Sequence, residues 1–176
     1  MVYYYEQKLK KYSKEIFLLL ISFTILALLS STSDQKDEIK LTESDTSILE
    51  FNEDNLISKI KSLNFKYPHI VLAQAKLESG NFNSKLFKEN NNLFGMRNPK
   101  VRITTSAGSQ NGYAYYSSWI ESVYDYAFYS SSYLNKAKNE REYYMYLSTN
   151  YAEDTLYVNR LKNIVEKDKL KNIFEN

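Results

Sequence analysis

The chain has 176 residues, no cysteine, one histidine, 43% hydrophobic residues and a formal charge of +2. That length and apolar content suit one domain with a real core plus an extra segment, and exclude two large domains. The lysines are interspersed with acids, so composition marks no nucleic-acid surface, and without thiolates or a second histidine neither a metal site nor a cofactor is expected.

Lys8, Lys10, Lys11 and Lys14 precede an apolar run from Ile16 to Leu29. A basic flank before such a run reads as export or membrane targeting, with the lysines kept on the cytoplasmic side. Residues 1–29 are therefore read as a signal peptide or a membrane anchor. Retention as an anchor is preferred, because Ser30 to Thr32 offer no clear cleavage pair. Residues 30–54 are rich in Ser, Thr, Asp, Glu and Lys and read as a polar linker. Residues 55–176 form the expected folded domain, carried on the outer side of the membrane or released from it.

The domain opens with a predicted helix over Asp54–Leu63, whose stripe is Leu56, Ile57, Ile60 and Leu63. The next helix starts at Pro68, a residue suited to a first helical position, and stops at Gly80, suited to the left-handed residue beyond a helix end. Ile70, Val71, Gln74 and Glu78 share one face of it, so the Glu78 carboxyl points inward or into a cleft. Desolvation there raises its pKa and favours a proton-donating form near neutral pH. A lone Glu near a helix end is more commonly a solvated surface residue, and His69 reads as a first-turn helix residue, not a ligand.

Residues 81–96 form a loop in which Asn90, Asn91 and Asn92 precede Leu93-Phe94-Gly95. Val101–Thr105 and Gly112–Tyr116 are β-prone and read as a hairpin around a polar loop of more than two residues. Alternation puts Tyr113 and Tyr115 on one face and Tyr116 on the other, one face available to stack on sugar rings. Ser118 and Glu121 make a capping box, and Asp125 one turn later reads as helix surface. Trp119, Val123, Tyr126, Ala127, Tyr133 and Leu134 recur at helical spacing, as do Leu161, Ile164 and Val165. Glu166 to Lys171 read as a solvated final helix or tail.

Four ordered segments carry more than their separate patterns. Ala73-Gln74-Ala75-Lys76-Leu77-Glu78-Ser79-Gly80-Asn81-Phe82, Asn91-Asn92-Leu93-Phe94-Gly95-Met96-Arg97, Tyr113-Ala114-Tyr115-Tyr116 with Trp119 and Glu121, and Tyr151-Ala152-Glu153-Asp154 with Tyr157 follow one another along the chain. Together they resemble the glucosaminidases of glycoside hydrolase family 73, which hydrolyse peptidoglycan. The resemblance runs from about Leu56 to Ile164. It implies an α+β, mainly α, lysozyme-like domain with a β-hairpin lip, following the N-terminal hydrophobic helix. It further implies Glu78 and Tyr151 as catalytic residues, and Gln74, Asn92, Phe94, Tyr115, Tyr116 and Tyr157 as substrate-binding ones, with glycan strands as partner and the cell envelope as location.

The chain departs from that family in its hairpin, where many members carry a second acid and residues 103–110 carry none. The two-carboxylate scheme of most glycosidases is thus in doubt. A one-carboxylate scheme stays complete if Glu78 protonates the leaving oxygen and the substrate's acetamido group supports the sugar cation, with Tyr151 orienting the acetamido group or water. The alternatives are a lytic transglycosylase on the same polymer and an inactive wall-binding module of an envelope or phage particle.

Overall fold

The computed structural model describes residues 50–152 and 154–175. The expectations for the leader and for most of the linker fall on residues 1–49, outside the described part. Among the described residues no helix is long and apolar enough to cross a membrane.

Helix α1 covers Glu53–Ser62, starting inside the stretch read as linker because Asn52 caps it. The Asn52 side chain accepts from the Asn55 N–H at 2.8 Å, filling one of the orphan donors of the first turn. Helix α2 covers Pro68–Glu78, with proline in its first turn and Gly80 at φ +57 just beyond it. The amphipathic stripe expected for α2 is too narrow. Every residue from His69 to Ala75 is buried, because the helix runs through the middle of the domain and is packed by α1, by α6 (Tyr157–Lys167) and by α7 (Leu170–Phe174). A helix buried on all sides loses the one-sided pattern of a surface helix.

Helix α3 covers Lys85–Asn90, capped by Ser84 and ended by Asn91 in the left-handed region at φ 52. The hairpin differs from the predicted one. Its strands are β1, Gly108–Gln110, and β2, Tyr113–Tyr115, antiparallel with Gln110 opposite Tyr113. The loop is only Asn111-Gly112, with both φ values positive at 52 and 83, a combination these two residues tolerate and one that sets the register directly. Val101–Thr105 is irregular, and its Val101 and Ile103 are 94% and 75% exposed.

Helix α4, Trp119–Tyr129, runs into a π-helical turn at Ser130–Leu134, and α5 covers Glu140–Asn150. Glu121 reaches back to the Ser117 N–H at 2.8 Å, one residue ahead of the N-cap, and the Ser118 side chain makes no capping bond, so the reciprocal box expected of Ser118 and Glu121 is not the contact made. Asp125, expected on the surface, is fully buried. Its carboxylate takes both guanidinium N–H groups of Arg102, at 2.6 and 3.0 Å, and the Tyr116 hydroxyl at 2.7 Å. The expected solvated tail also has an inner face. Lys169 turns the chain at φ 51 and Leu170 enters the core. A side chain of that size contributes about 1.5–3 kcal/mol when fully buried.

One core joins these elements. Leu56, Ile60, Ile70, Leu72, Val123, Leu147 and Leu161 meet in it, and Phe94 stacks on Tyr126 with ring centroids 4.2 Å apart. The result is a mainly helical domain with a two-stranded antiparallel lip, in agreement with the lysozyme-like architecture expected.

Candidate active site

Glu78 ends α2, where the helix emerges from the core, and its side chain is half-buried. It opens into a groove of about 1100 Å³ bounded by the 95–102 segment, Tyr113 of the hairpin, the end of α4 and the α5–α6 connection. Gly95 forms the wall beside the carboxyl. At φ +63 it occupies a region that favours glycine, and a Cβ there would stand 3.0 Å from Glu78 Oε2. Asn92 sets that wall. Its side-chain oxygen accepts from the Met96 N–H at 3.0 Å, and its amide donates to the carbonyls of Met96 and Ala114 at 2.9 and 2.8 Å. The Leu93–Met96 turn is thereby tied to β2.

Beneath Glu78 lies a directed chain of hydrogen bonds. The Tyr126 hydroxyl donates to the Gln74 side-chain carbonyl, and the Gln74 amide donates to the Tyr157 oxygen at 3.1 Å. Tyr157, already accepting from Gln74, is left to donate, and its hydroxyl is the hydrogen-bond partner of Glu78. Two opposed effects then act on the carboxyl. Burial pushes its pKa above the usual carboxylate value, and the Tyr157 hydrogen bond, which favours the ionised form, pulls it part of the way back. Tyr157 itself is held neutral by burial and by the neighbouring Glu78.

Tyr151 stands at the C-terminal end of α5, half-buried, with its ring 5.9 Å from that of Tyr157. Its hydroxyl donates to the Phe94 carbonyl at 2.5 Å, so on the groove side the oxygen can only accept. Burial keeps this phenol protonated as well.

Glu78, Tyr151 and Tyr157 thus meet at one groove. Gln74, Asn92 and Phe94, expected to bind substrate, are instead fully buried behind its wall, with their polar groups taken by protein partners or their ring by Tyr126. Tyr116 is likewise inside, 3% exposed and bonded to Asp125, since alternation turns it inward from Tyr115. Tyr115 is exposed but lies over β1, where a Cβ on Gly108 would fall 2.7 Å from its ring. It is Tyr113 that borders the groove. Sequence reasoning missed Tyr129, Tyr133 and Tyr146, which also line it. The four-residue spacing of Tyr129 and Tyr133 was a visible signal, and their rings lie 5.1 Å apart across the π-helical turn.

The other groove-lining acid among the described residues is Asp154, and its carboxylate is engaged in holding the local chain. It accepts from the Leu156 N–H at 2.8 Å and pairs with Arg160 at 3.1 Å. Among the described residues no three His, Asp or Glu side chains converge as a metal site. His69 does not border the groove; it is buried, 3.5 Å from Glu140, and burial lowers its pKa.

A desolvated carboxyl hydrogen-bonded by a tyrosine, at an aromatic-lined groove, is able to hold and donate a proton there. The chain belongs to the glucosaminidase family, described as mannosyl-glycoprotein endo-beta-N-acetylglucosaminidase, whose model matches residues 55–170. Protein bax of Escherichia coli K12 is 47% identical over 57 residues, which make up 32% of this chain and 21% of that protein. The match therefore spans about a fifth of that relative's length. The catalytic domain of the autolysin Auto from Listeria monocytogenes is similar at 22% identity and a TM-score of 0.49, over 86% of this chain and 96% of that one.

Proposed function

We propose that the protein is a peptidoglycan hydrolase that cleaves the β-1,4 bond after N-acetylglucosamine, with Glu78 as general acid. The observation that carries this reading is the half-buried Glu78 carboxyl, raised in pKa, opening into the groove beside an acceptor-only Tyr151. The Glu78 proton passes to the glycosidic oxygen as the C1–O bond breaks. The substrate's acetamido oxygen bonds to C1 and carries the positive charge, so no second carboxylate is required. The Tyr151 oxygen, its own proton held by Phe94, accepts from the acetamido N–H and turns the acetamido oxygen toward C1. Water then attacks C1, the acetamido group is released and the ionised Glu78 takes the proton from water, restoring the acid. This cycle retains the anomeric configuration.

Such a substrate lies outside the cytoplasm, and the basic flank with the Ile16–Leu29 run would deliver the domain to the cell envelope, held at the membrane or secreted. Digestion of purified peptidoglycan with mass-spectrometric assignment of the products is the test. Reducing N-acetylglucosamine ends, lost in Glu78→Gln, are expected. Anhydro-muramic ends would replace the hydrolase by a lytic transglycosylase. No soluble fragments from several walls, with binding retained, would make it a wall-binding module.

A further inference from the structure

The groove carries more positive charge than its own acids neutralise. Its described lining contains Arg97, Lys100, Arg102 and Arg160. Arg102 is spent on buried Asp125, and Arg160 pairs with Asp154. Arg97 and Lys100 are exposed and make no ion pair among the described residues.

These two cations sit on a short segment fastened at both ends. On one side Asn92 holds the backbone of Met96, and on the other Arg102 is locked into Asp125. The same segment begins at Gly95, against the Glu78 carboxyl. Arg97 and Lys100 therefore line the same groove as Glu78, on the segment that forms the wall beside its carboxyl. A neutral N-acetylhexosamine chain offers them hydroxyl and carbonyl oxygens but has no charge to match theirs. A glycan with anionic substituents does, and a fixed cation at the groove edge attracts such a ligand and fixes its register.

We propose that Arg97 and Lys100 read an anionic substituent on the glycan strand, so that the substrate class is a charged, substituted strand and not a bare one. The inference rests on the peptidoglycan reading above. Within a wall, the anion is a carboxylate of a peptide stem or a phosphate of an attached polymer.

The test compares kcat/KM of the full-length protein in detergent on glycan strands of equal length in three forms: with stems, stripped of stems by an amidase with the freed lactyl carboxylates then converted to neutral methylamides, and stripped of phosphate by hydrofluoric acid. Exposed charge contacts are individually weak, so the two together are expected to favour the anionic strand by roughly tenfold at low salt. That preference should shrink at about 1 M salt, where screening is nearly complete beyond a few ångström. It should collapse toward unity in the double variant Arg97→Gln/Lys100→Gln and persist in the charge-keeping Arg97→Lys/Lys100→Arg. Loss of preference on amidase treatment identifies the stem carboxylate, and loss on acid treatment identifies phosphate. Equal rates on all three forms would overturn the inference and leave peptidoglycan hydrolysis standing. Failure to cleave any form would remove the underlying reading and the inference with it.

Discussion

Gly95 lies against the carboxyl of Glu78, so closely that a methyl group on residue 95 would stand 3.0 Å from Oε2. The proposed acid therefore owes its place partly to an atom that is missing from a residue 17 positions away in the chain. Gly95→Ala adds that atom and also demands a left-handed conformation at φ +63, at a cost of about 1–2 kcal/mol. We expect kcat/KM to fall roughly a hundredfold, because a small displacement of a catalytic group is enough for that. Binding of an uncleaved glycan fragment should fall far less, and equal losses in both would argue that the groove as a whole had collapsed.

Tyr157→Phe removes the hydroxyl that favours ionised Glu78. The Glu78 pKa then rises further, and since the general acid must be protonated, the alkaline limb of the kcat/KM profile should move to higher pH. A limb moving to lower pH, or staying in place while activity falls at every pH, would contradict this role. Gln74→Leu should move the limb the same way by a smaller amount, since it frees Tyr157 to turn from Glu78 without removing the hydroxyl.

The same burial has a consequence for folding. The folded-state pKa of Glu78 lies above its ordinary value. Its stability contribution is therefore complete below the unfolded pKa and is lost as pH rises through the folded pKa. Glu78→Gln, which cannot ionise, should melt higher than the native chain at neutral pH, and the difference should vanish near pH 4. Thermal melts of both proteins across that range decide it, and a difference that grows toward acid would show the sign to be wrong.

Arg102→Ala leaves the buried Asp125 carboxylate with Tyr116 as its remaining side-chain donor. Breaking one side of such a pair costs about 3–5 kcal/mol, which urea denaturation would register as a lower midpoint. Arg102→Met with Asp125→Leu removes both charges and should be distinctly milder. A double variant as damaging as the single one would indicate that Arg102 acts by packing on Tyr129, over whose ring it lies at 5.8 Å, and not by charge.

Local reading succeeded where a single stretch of chain settles its own conformation. Pro68 and Gly80 bracket α2 because their backbone preferences are intrinsic, and the Leu56/Ile60 face of α1 is buried as its spacing requires. It failed where partners come from afar. Asp125 looks like helix surface until Arg102, 23 residues earlier, meets it. Tyr116 looks available to a sugar until its hydroxyl finds that same carboxylate. In the hairpin, the Asn111-Gly112 signal was present but subordinated to the stronger β propensity of Val101–Thr105, a run that lies outside the strand pair, with its Arg102 turned inward to Asp125.

By itself the sequence determined the mainly helical domain, the helix that ends in Glu78, and the group of motifs that names the family, because periodicity, caps and motif order are properties of neighbouring residues. The tertiary structure alone decided what surrounds the Glu78 carboxyl: the bare backbone of Gly95, the donor Tyr157 steered by Gln74 and Tyr126, and the acceptor Tyr151 with its proton given to Phe94. Acidity and orientation depend on distances and desolvation, and those come into being only when segments remote in the chain pack around one side chain.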